Sequence, residues 1–306
     1  MKDWLIDGLG FNVIFELIFS DNVCWLARIP LPYNCFEPEQ CTLSYAATLN
    51  YLKKHTSIPV PQVFGYALKS DSGNSTNVTY MLMERLLGHH LPDLDRISLE
   101  FPTKGLEMAK KIHQQLTDII LELASPTCTF DKIGTLKRDS QGNFHVGPYV
   151  DPNGTAYPRV KASIYRSMDA KYHGPFCTIS DFYRGMSQLN IRYALEDPEE
   201  EDKDVAVAEY KLLQEMSPKF IIEAFDKGPF VINHNDLTIQ NILVDNDFNI
   251  TGILDFPGTI VPLPSLCVFP WLFKDNVEGL VADRNAYLDD FLIDPPGYLL
   301  QGLYPI

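Results

Sequence analysis

The chain has 306 residues, of which 45% are apolar and 12% aromatic. This length and composition predict a globular protein with a well-buried core, in one large domain or two smaller ones. The formal net charge of −15 at pH 7 excludes the basic surface that nucleic-acid binding requires, so we expect no nucleic-acid partner. It fits a protein whose substrate is neutral or cationic, and equally a protein with a solvated acidic surface.

The cysteines and the amino-terminal residues indicate a cytoplasmic protein. Six cysteines are scattered without a C-x-x-C pair, which is typical of reduced thiols. The start "MKDWLIDGLG" has two acids within its first seven residues, which does not fit a signal peptide. No run reaches the roughly 18 apolar residues of a membrane helix, so we expect no membrane contact. The sequence makes no prediction about the oligomeric state.

The first third of the chain is rich in predicted strands. "FNVIFELIFSDNVCWLARIPLP" contains two β-rich runs around the turn residues 20–22, so it predicts a hairpin. In "TLSYAATLNYLKKH", Tyr45, Leu49 and Leu52 recur at helical spacing, and Pro59 lies shortly after this predicted helix. "NVTYMLMERL" predicts a further strand.

After residue 100 the pattern becomes mainly helical. "EMAKKIHQQLTDIILELAS" places apolar residues on one helical face, and "AVAEYKLLQEMSPKFIIEAF" is helical on both sides of Pro218. Turn residues 140–142 predict a small hairpin between these helices. "LEDPEEEDKDV" is predicted to be a solvated linker, with a clamp for a cationic substrate as the alternative. The overall prediction is an α+β fold of two lobes.

The stretch "HNDLTIQNILVDNDFNITGILDF" carries the chemistry. Two apolar runs on either side of "NDFN" predict an antiparallel hairpin over residues 241–255. In that register Asn241 lies opposite Leu254, beside Asp255, so an amide oxygen and a carboxylate meet at one end of the hairpin. Such hard oxygen ligands suit Mg²⁺. Asp236 lies in the loop that leads into the hairpin, and we expect it to face the group that the metal binds.

This arrangement is what phosphoryl transfer requires, because catalysis there consists mainly of positioning and charge neutralisation. A carboxylate accepts the proton of the attacking hydroxyl while a metal bridges the phosphates. The alternative is a β-hairpin with solvated acids at its open end.

The chain resembles the aminoglycoside phosphotransferase family, and particularly its fungal members. The resemblance is carried, in the family's order, by "GLGFNVIFELIF", "WLARIPLP", "HTSIPVPQVFGY", "YMLMERLLG", "FDKIGTL", "HNDLTIQNILVD" and "GILDF". It implies a protein-kinase-like two-lobe fold, with a β-rich N-lobe carrying one helix (residues 1–86) and a mainly helical C-lobe (residues 87–306). It also implies ATP and Mg²⁺ as cofactors and a small-molecule hydroxyl as acceptor.

The resemblance assigns a role to each matching residue. Asp236 matches the catalytic base, Asn241 and Asp255 match the metal ligands, and His234 matches a residue that braces the loop. The remaining residues match nucleotide contacts: the glycine turn at Gly8 and Gly10 with Asn12 at its mouth, Arg28 on the phosphates, and the hinge backbone of Glu84 and Leu86, whose side chains are expected to matter little.

The chain departs from the family pattern at the phosphate-binding pair. Arg28 stands where the family has a lysine, and Tyr45 stands where it has a glutamate. Arginine holds phosphate with a planar fork, whereas tyrosine supplies no countercharge. We expect the Tyr45 hydroxyl to hydrogen-bond Arg28, or Glu37 or Glu39 to replace the carboxylate. Arg28 as a plain surface residue of the strand is the alternative.

Two further features set this chain apart from the family. Pro257 is expected to stiffen the loop after Asp255. "FPWLF" (269–273) is predicted to be core, with a partly uncovered apolar face as the alternative.

Three functions are compatible with the sequence. The first is an ATP- and Mg²⁺-dependent kinase acting on a hydroxyl of a small molecule. The second is a kinase-like module that binds nucleotide or a partner without catalysis, which the Arg28 and Tyr45 replacements favour. The third, a protein kinase, is disfavoured because no A-P-E element follows Asp255.

Overall fold

The computed structural model describes residues 11–31, 37–92, 102–150, 167–196 and 202–267. Within these ranges it contains four α-helices, α1 (Pro38–His55), α2 (Pro102–Leu123), α3 (Ile179–Glu196) and α4 (Lys203–Phe220). None of the helices in this part of the chain is both long and apolar enough to cross a membrane. Cys24, Cys41, Cys128 and Cys177 are free thiols.

The amino-terminal part is a four-stranded antiparallel sheet with one helix. Its strands are β1 (Asn12–Ile18), β2 (Cys24–Pro30), β3 (Val63–Ala67) and β4 (Tyr80–Glu84), in the spatial order β1-β2-β4-β3. The predicted hairpin is confirmed, since β1 pairs with β2 in register and Asn22 in the connecting turn takes the left-handed conformation (φ 64°). Asparagine tolerates that conformation better than most residues.

Helix α1 packs its predicted face inward. Tyr45, Leu49 and Leu52 are all buried, which confirms the helical spacing seen in the sequence. The helix begins at Pro38, earlier than the pattern indicated, because proline is well tolerated in a first helical turn. It ends at His55, where Thr56 turns to an extended conformation ahead of Pro59.

The rest of the chain is more helical than stranded, but it also holds a five-stranded antiparallel sheet that the sequence pattern did not predict. Its order is β6-β9-β12-β7-β8. The strands are β6 (Thr129–Phe130), β7 (Gly134–Arg138), β8 (Phe144–Gly147), β9 (Phe230–Asn233) and β12 (Thr259–Pro262). The predicted small hairpin is confirmed as β7 and β8.

Helix α2 is confirmed, with its predicted apolar face buried. The expectation of helix on both sides of Pro218 is confirmed only as far as Phe220, because α4 runs through Pro218 and ends there, and a short 3₁₀ turn, Glu223–Phe225, then follows. Proline in the last turn removes a donor and discourages continuation. Residues 197–201 of the predicted charged linker and the whole "FPWLF" segment lie outside the described residues.

The hairpin predicted over residues 241–255 is formed by β10 (Ile242–Val244) and β11 (Ile250–Ile253). A third strand, β5 (His89–His90), pairs with β10. Ile242 pairs with Ile253, and the Leu254 N–H donates to the Asn241 carbonyl at 2.8 Å. This confirms the predicted register. The hairpin interior joins the same apolar core as α1 and α2, so the end of the hairpin is held rigidly.

The predicted α+β fold, with a β-rich amino-terminal part that carries one helix, is confirmed. The boundary between the two lobes after residue 86 stays a prediction.

Candidate active site

The loop before the hairpin is pinned by the Asn241 side chain. Its amide nitrogen donates to the Asp236 carbonyl at 2.8 Å and to the Asp236 carboxylate (Oδ2) at 3.2 Å. The Thr238 N–H donates to the Asp236 carbonyl, and the Asn241 N–H donates to the Thr238 carbonyl. These contacts fix the direction of Asp236 before any substrate arrives.

His234 braces this loop against the strand that leads to Asp255. Its Nε2 lies 2.6 Å from the Leu254 carbonyl, and its ring meets that of Phe256 edge-on at 4.6 Å. Burial lowers the pKa of His234, so the ring is neutral at pH 7 and donates through Nε2–H. The brace expected from the sequence is therefore present.

Asp255 follows directly on β11 and Leu254 and adopts a left-handed backbone conformation (φ 57°). Few residues other than glycine adopt this conformation, and aspartate is among those that do. Backbone strain of this kind persists where the surroundings hold it. Here the next residue, Phe256, is buried, and the Asp255 side chain stays 48% exposed.

Arg28 on β2 reaches across to Asp255. Its guanidinium (Nη2) lies 2.9 Å from Asp255 Oδ1, and the Arg28 side chain is only 12% exposed. The same guanidinium lies over the Tyr45 ring, with its carbon 4.2 Å from the ring centroid. Arg28 is therefore a cleft residue and not a plain surface residue of the strand.

The charge of Arg28 is maintained despite its burial. Desolvation opposes the charge, but the charge of Asp255 and its hydrogen bond with the guanidinium are among the causes that raise the pKa of Arg28 above its ordinary value. Burial, first, and the Asp255 charge, second, raise the pKa of Tyr45. Tyr45 is therefore a neutral phenol at any ordinary pH.

The two predicted carboxylates meet in one cleft. Twelve residues line it: Phe11, Asn12, Arg28, Pro30, Cys41, Ser44, Tyr45, Thr135, Val150, Asp236, Asp255 and Pro257. The base, one metal ligand, the phosphate-binding arginine and Asn12 predicted from the sequence are thus brought together. The free space in the cleft is about 70 Å³, less than the roughly 300 Å³ of a small ligand site.

The expected hinge residues do not line this cleft among the residues that the structure describes. Glu84 contributes its side chain to the fold, because its carboxylate accepts the Gln62 N–H at 3.0 Å and lies 3.4 Å from Lys53 Nζ. The Leu86 side chain packs beside Gly252. The expectation that the backbone of these two residues, and not their side chains, holds the adenine edge stays a prediction. Gly8 and Gly10 lie outside the described residues.

The replacement of the family's ion pair differs from what the sequence suggested. The Arg28 guanidinium stacks on the face of Tyr45, and the Tyr45 hydroxyl instead lies close enough to the backbone of Asp255 and Phe256 for hydrogen bonding. Glu39 is held by the N–H and hydroxyl of Ser70 at 2.8 and 2.9 Å. The carboxylate that Arg28 pairs with is Asp255.

The residues present fit a magnesium ion that arrives together with phosphate. Asp255 is a half-exposed carboxylate at the cleft. The Asn241 amide nitrogen donates to Asp236, which leaves the amide oxygen as the candidate metal ligand. No group of three or more histidine, cysteine or carboxylate side chains forms a metal site within the described part of the chain. Mg²⁺ commonly takes one or two protein ligands and completes its shell with water and phosphate oxygens.

Sequence reasoning missed the cleft residues on α1 and on the β7–β8 hairpin. Ser44 donates to the Pro257 carbonyl at 3.4 Å, and the Thr135 hydroxyl accepts the Val150 N–H at 2.8 Å. For Thr135 the only signal was its place in "FDKIGTL", which carried no assigned role. Small polar residues near a cleft have no periodic pattern that would mark them.

Comparison with solved structures finds distant similarities. A macrolide 2′-phosphotransferase from Brachybacterium faecium is 13% identical with a TM-score of 0.48, over 97% of this chain and 78% of that chain. A protein described as a fructosamine-3-kinase from Thermobifida fusca is 16% identical with a TM-score of 0.49, over 96% of this chain and 78% of that one. Similarities at this level carry no argument about substrate.

Two curated relatives match a short part of the chain. Both are subtelomeric hrmA-associated cluster proteins, from two strains of Aspergillus fumigatus, and each is 37% identical over 82 residues. The match covers 27% of this chain and spans only 16% of the length of each relative.

A family-wide comparison covers much more of the molecule. The sequence model of the phosphotransferase enzyme family matches residues 21–259, which includes Arg28, Tyr45, the loop with Asp236, and the hairpin that ends at Asp255. Because the match covers most of the chain and includes the residues that form the cleft, the chain belongs to the phosphotransferase enzyme family.

Proposed function

We propose that this protein is an ATP- and Mg²⁺-dependent kinase that phosphorylates a hydroxyl group on a small molecule in the cytoplasm. The observation that carries the proposal is the shared cleft, in which Asp236, Asp255 and Arg28 all face one space. A base, an oxygen ligand for a cation and a fixed positive charge are the groups that phosphoryl transfer needs.

Each residue has one task in this proposal. Asp236, aimed by Asn241, accepts the proton of the acceptor hydroxyl. Asp255 and Asn241 would hold Mg²⁺, which when bound neutralises charge on the nucleotide phosphates. Arg28 offers a planar fork to the phosphate oxygens. Arg28 is also paired with Asp255, so the phosphate-binding charge and the proposed metal ligand lie side by side.

The acceptor is a small alcohol in this proposal, and the acidic net charge of −15 favours a neutral or cationic one. A panel of amino sugars, amino alcohols and nucleosides, screened by ATP consumption, would identify it. Acceptor-dependent consumption that also requires Mg²⁺ is the expected result.

Asp236→Asn tests the catalytic role directly. We expect turnover to fall by ~10²–10⁴-fold, because the amide cannot accept the proton, while ATP affinity stays within a few-fold of the wild type. Turnover is measured with the best acceptor and affinity by calorimetry. Unchanged turnover in a folded Asp236→Asn protein would remove the proposed mechanism.

A second candidate function is a kinase-like module that binds nucleotide or a partner without turnover. The Arg28–Asp255 ion pair favours it, because the pair occupies an oxygen that a cation would use. A thermal-shift titration with ATP, with and without Mg²⁺, separates the two. Metal-dependent stabilisation together with slow ATP hydrolysis supports the kinase, and stabilisation without hydrolysis supports the binding module.

A further inference from the structure

Tyr45 occupies a central place in the cleft without any charge of its own. Its side chain is buried, with 4% of the residue exposed, and the guanidinium carbon of Arg28 lies over its ring, 4.2 Å from the ring centroid. A guanidinium on an aromatic face gains cation–π attraction in addition to packing. The ring therefore fixes where the Arg28 charge sits, and Arg28 in turn reaches Asp255 at 2.9 Å.

The hydroxyl end of Tyr45 is fixed to the segment that presents Asp255. The backbone of Asp255 and Phe256 lies close enough to the phenol oxygen for hydrogen bonding to work against the rise in the pKa of Tyr45, at the place where Asp255 takes its left-handed conformation. A hydrogen-bond partner at this point compensates the polar backbone groups of a buried turn. One side chain thus contacts both the cation and the backbone of the carboxylate.

Helix α1, which carries Tyr45, also packs closely on the residues after Asp255. Ser44 donates to the Pro257 carbonyl, and Gly258 approaches α1 so closely that a Cβ there would lie 2.2 Å from the Thr48 hydroxyl and 2.6 Å from the Ser44 hydroxyl. Gly258 also has φ +78°. A shift of α1 would therefore move the loop after Asp255, and Tyr45 lies at the centre of this contact.

We propose that Tyr45 is a positioning residue for phosphoryl transfer, which holds the Arg28 guanidinium and the backbone of Asp255 in a fixed relation without an acid–base ion pair on α1. The proposal rests on the proposed kinase function. Tyr45 acts through Arg28 and Asp255 and is not itself assigned a contact with substrate.

Arginine and tyrosine form a matched pair in this arrangement. A planar guanidinium stacks on a ring, whereas a lysine ammonium has no flat face to stack. A glutamate at position 45 would compete with Asp255 for Arg28, because both carboxylates would lie within reach of one cation. We therefore expect Arg28→Lys or Tyr45→Glu alone to disrupt the contact between the two side chains. The two substitutions together would replace it with a lysine–glutamate ion pair.

The first experiment is Tyr45→Phe, which keeps the ring and removes the hydroxyl. With Mg-ATP and the best acceptor of the panel, we expect the Mg²⁺ concentration for half-maximal ATP consumption to rise about 3–10-fold, as one hydrogen bond predicts. Tyr51→Phe is the matched control, because Tyr51 lies on the same helix and its hydroxyl donates to the Thr127 carbonyl at 2.5 Å, outside the cleft. We expect the Mg²⁺ requirement of this control to equal that of the wild type.

The second experiment tests the matched pair with Arg28→Lys, Tyr45→Glu and the double variant. We expect each single variant to lose activity and the double variant to exceed the product of the two single effects by at least about fivefold, a coupling within the range for residues in contact. Since a purely structural tyrosine would lower the melting temperature without such rescue, the double variant separates the two roles.

The outcomes distinguish this inference from the proposed function. ATP consumption by the wild type that is absent with every acceptor of the panel, or unaffected by Asp236→Asn, overturns the kinase proposal and this inference with it. If Asp236→Asn abolishes this consumption but Tyr45→Phe keeps the wild-type Mg²⁺ requirement, or the double variant merely multiplies the single effects, the positioning role alone is overturned.

Discussion

The two walls of the cleft hold their charged side chains in position by different kinds of contact. On one wall, the loop and hairpin place Asp236, Asn241 and Asp255 through local hydrogen bonds and a tight register. On the other wall, β2 and α1 hold Arg28 on the face of Tyr45, without a carboxylate from the helix. Local hydrogen bonds hold the first arrangement, whereas the second depends on a contact between two side chains that lie 17 positions apart in the sequence.

The first wall gives the largest expected effect. In Asn241→Ala, Asp236 loses the donor that aims it and the proposed magnesium ligands lose an amide oxygen, so we expect turnover at saturating ATP to fall by ~10²-fold. Asn249→Ala is the control, because this asparagine donates to Asp245 at 2.8 Å at the turn of the same hairpin, remote from the cleft. Equal turnover in the two variants would show that the hairpin, and not the Asn241 contact, matters.

The second wall gives the next effect. Arg28→Gln removes a charged donor from the phosphates, and charge-assisted bonds of roughly 1.5–3 kcal/mol predict a rise in the KM for ATP of about 10–100-fold. We expect a smaller change in kcat. Arg85→Gln serves as the control, since Arg85 is an exposed arginine paired with Glu16 at 2.7 Å, and exposed pairs contribute little. An unchanged KM for ATP in Arg28→Gln would show that Arg28 does not bind the phosphates and has only a structural role.

The walls differ too in how much could be predicted from sequence. The hairpin register, the Asn241–Leu254 pairing and the burial of the α1 face followed from alternation and helical spacing, because those periods directly determine which side chains face inward. The Arg28–Tyr45 stacking could not follow from them, since it depends on how α1 crosses the sheet. The five-stranded sheet was also missed, because its short strands come from three distant parts of the chain.

The junction between the walls is tested by Gly258→Ala. The methyl group would meet the Thr48 and Ser44 hydroxyls at a backbone conformation that favours glycine, and we expect a loss of about 1–3 kcal/mol in the free energy of unfolding. Gly73→Ala is the control, because nothing lies within 4 Å of a Cβ there. Urea denaturation measures both, and equal stability would contradict the close packing of α1 on this loop.

The smallest expected effect concerns Lys137, which lies beside α1 and donates to the Gln40 side chain at 2.8 Å. Burial lowers the pKa of Lys137 from 10.5 to about 8. Between these two pH values the unfolded chain binds more protons than the folded one, so the free energy of unfolding should rise with pH across that window.

Lys137→Met keeps the length of the side chain and removes its charge. We expect the variant to lack this part of the pH dependence when urea denaturation of both proteins is compared at pH 7.5, 8.5 and 9.5. Parallel curves for the two proteins would show that Lys137 titrates normally in the folded state.

The central claim is that Asp255 and Asp236 serve a single site for a magnesium nucleotide, and calorimetric titration of ATP tests it most directly. Wild type and Asp255→Ala are each titrated in Mg²⁺ and in excess chelator. The account predicts that chelation weakens ATP binding by the wild type at least about tenfold, and that Asp255→Ala loses most of this metal dependence, because the carboxylate is the metal's main protein ligand. The same metal dependence in both proteins would contradict it.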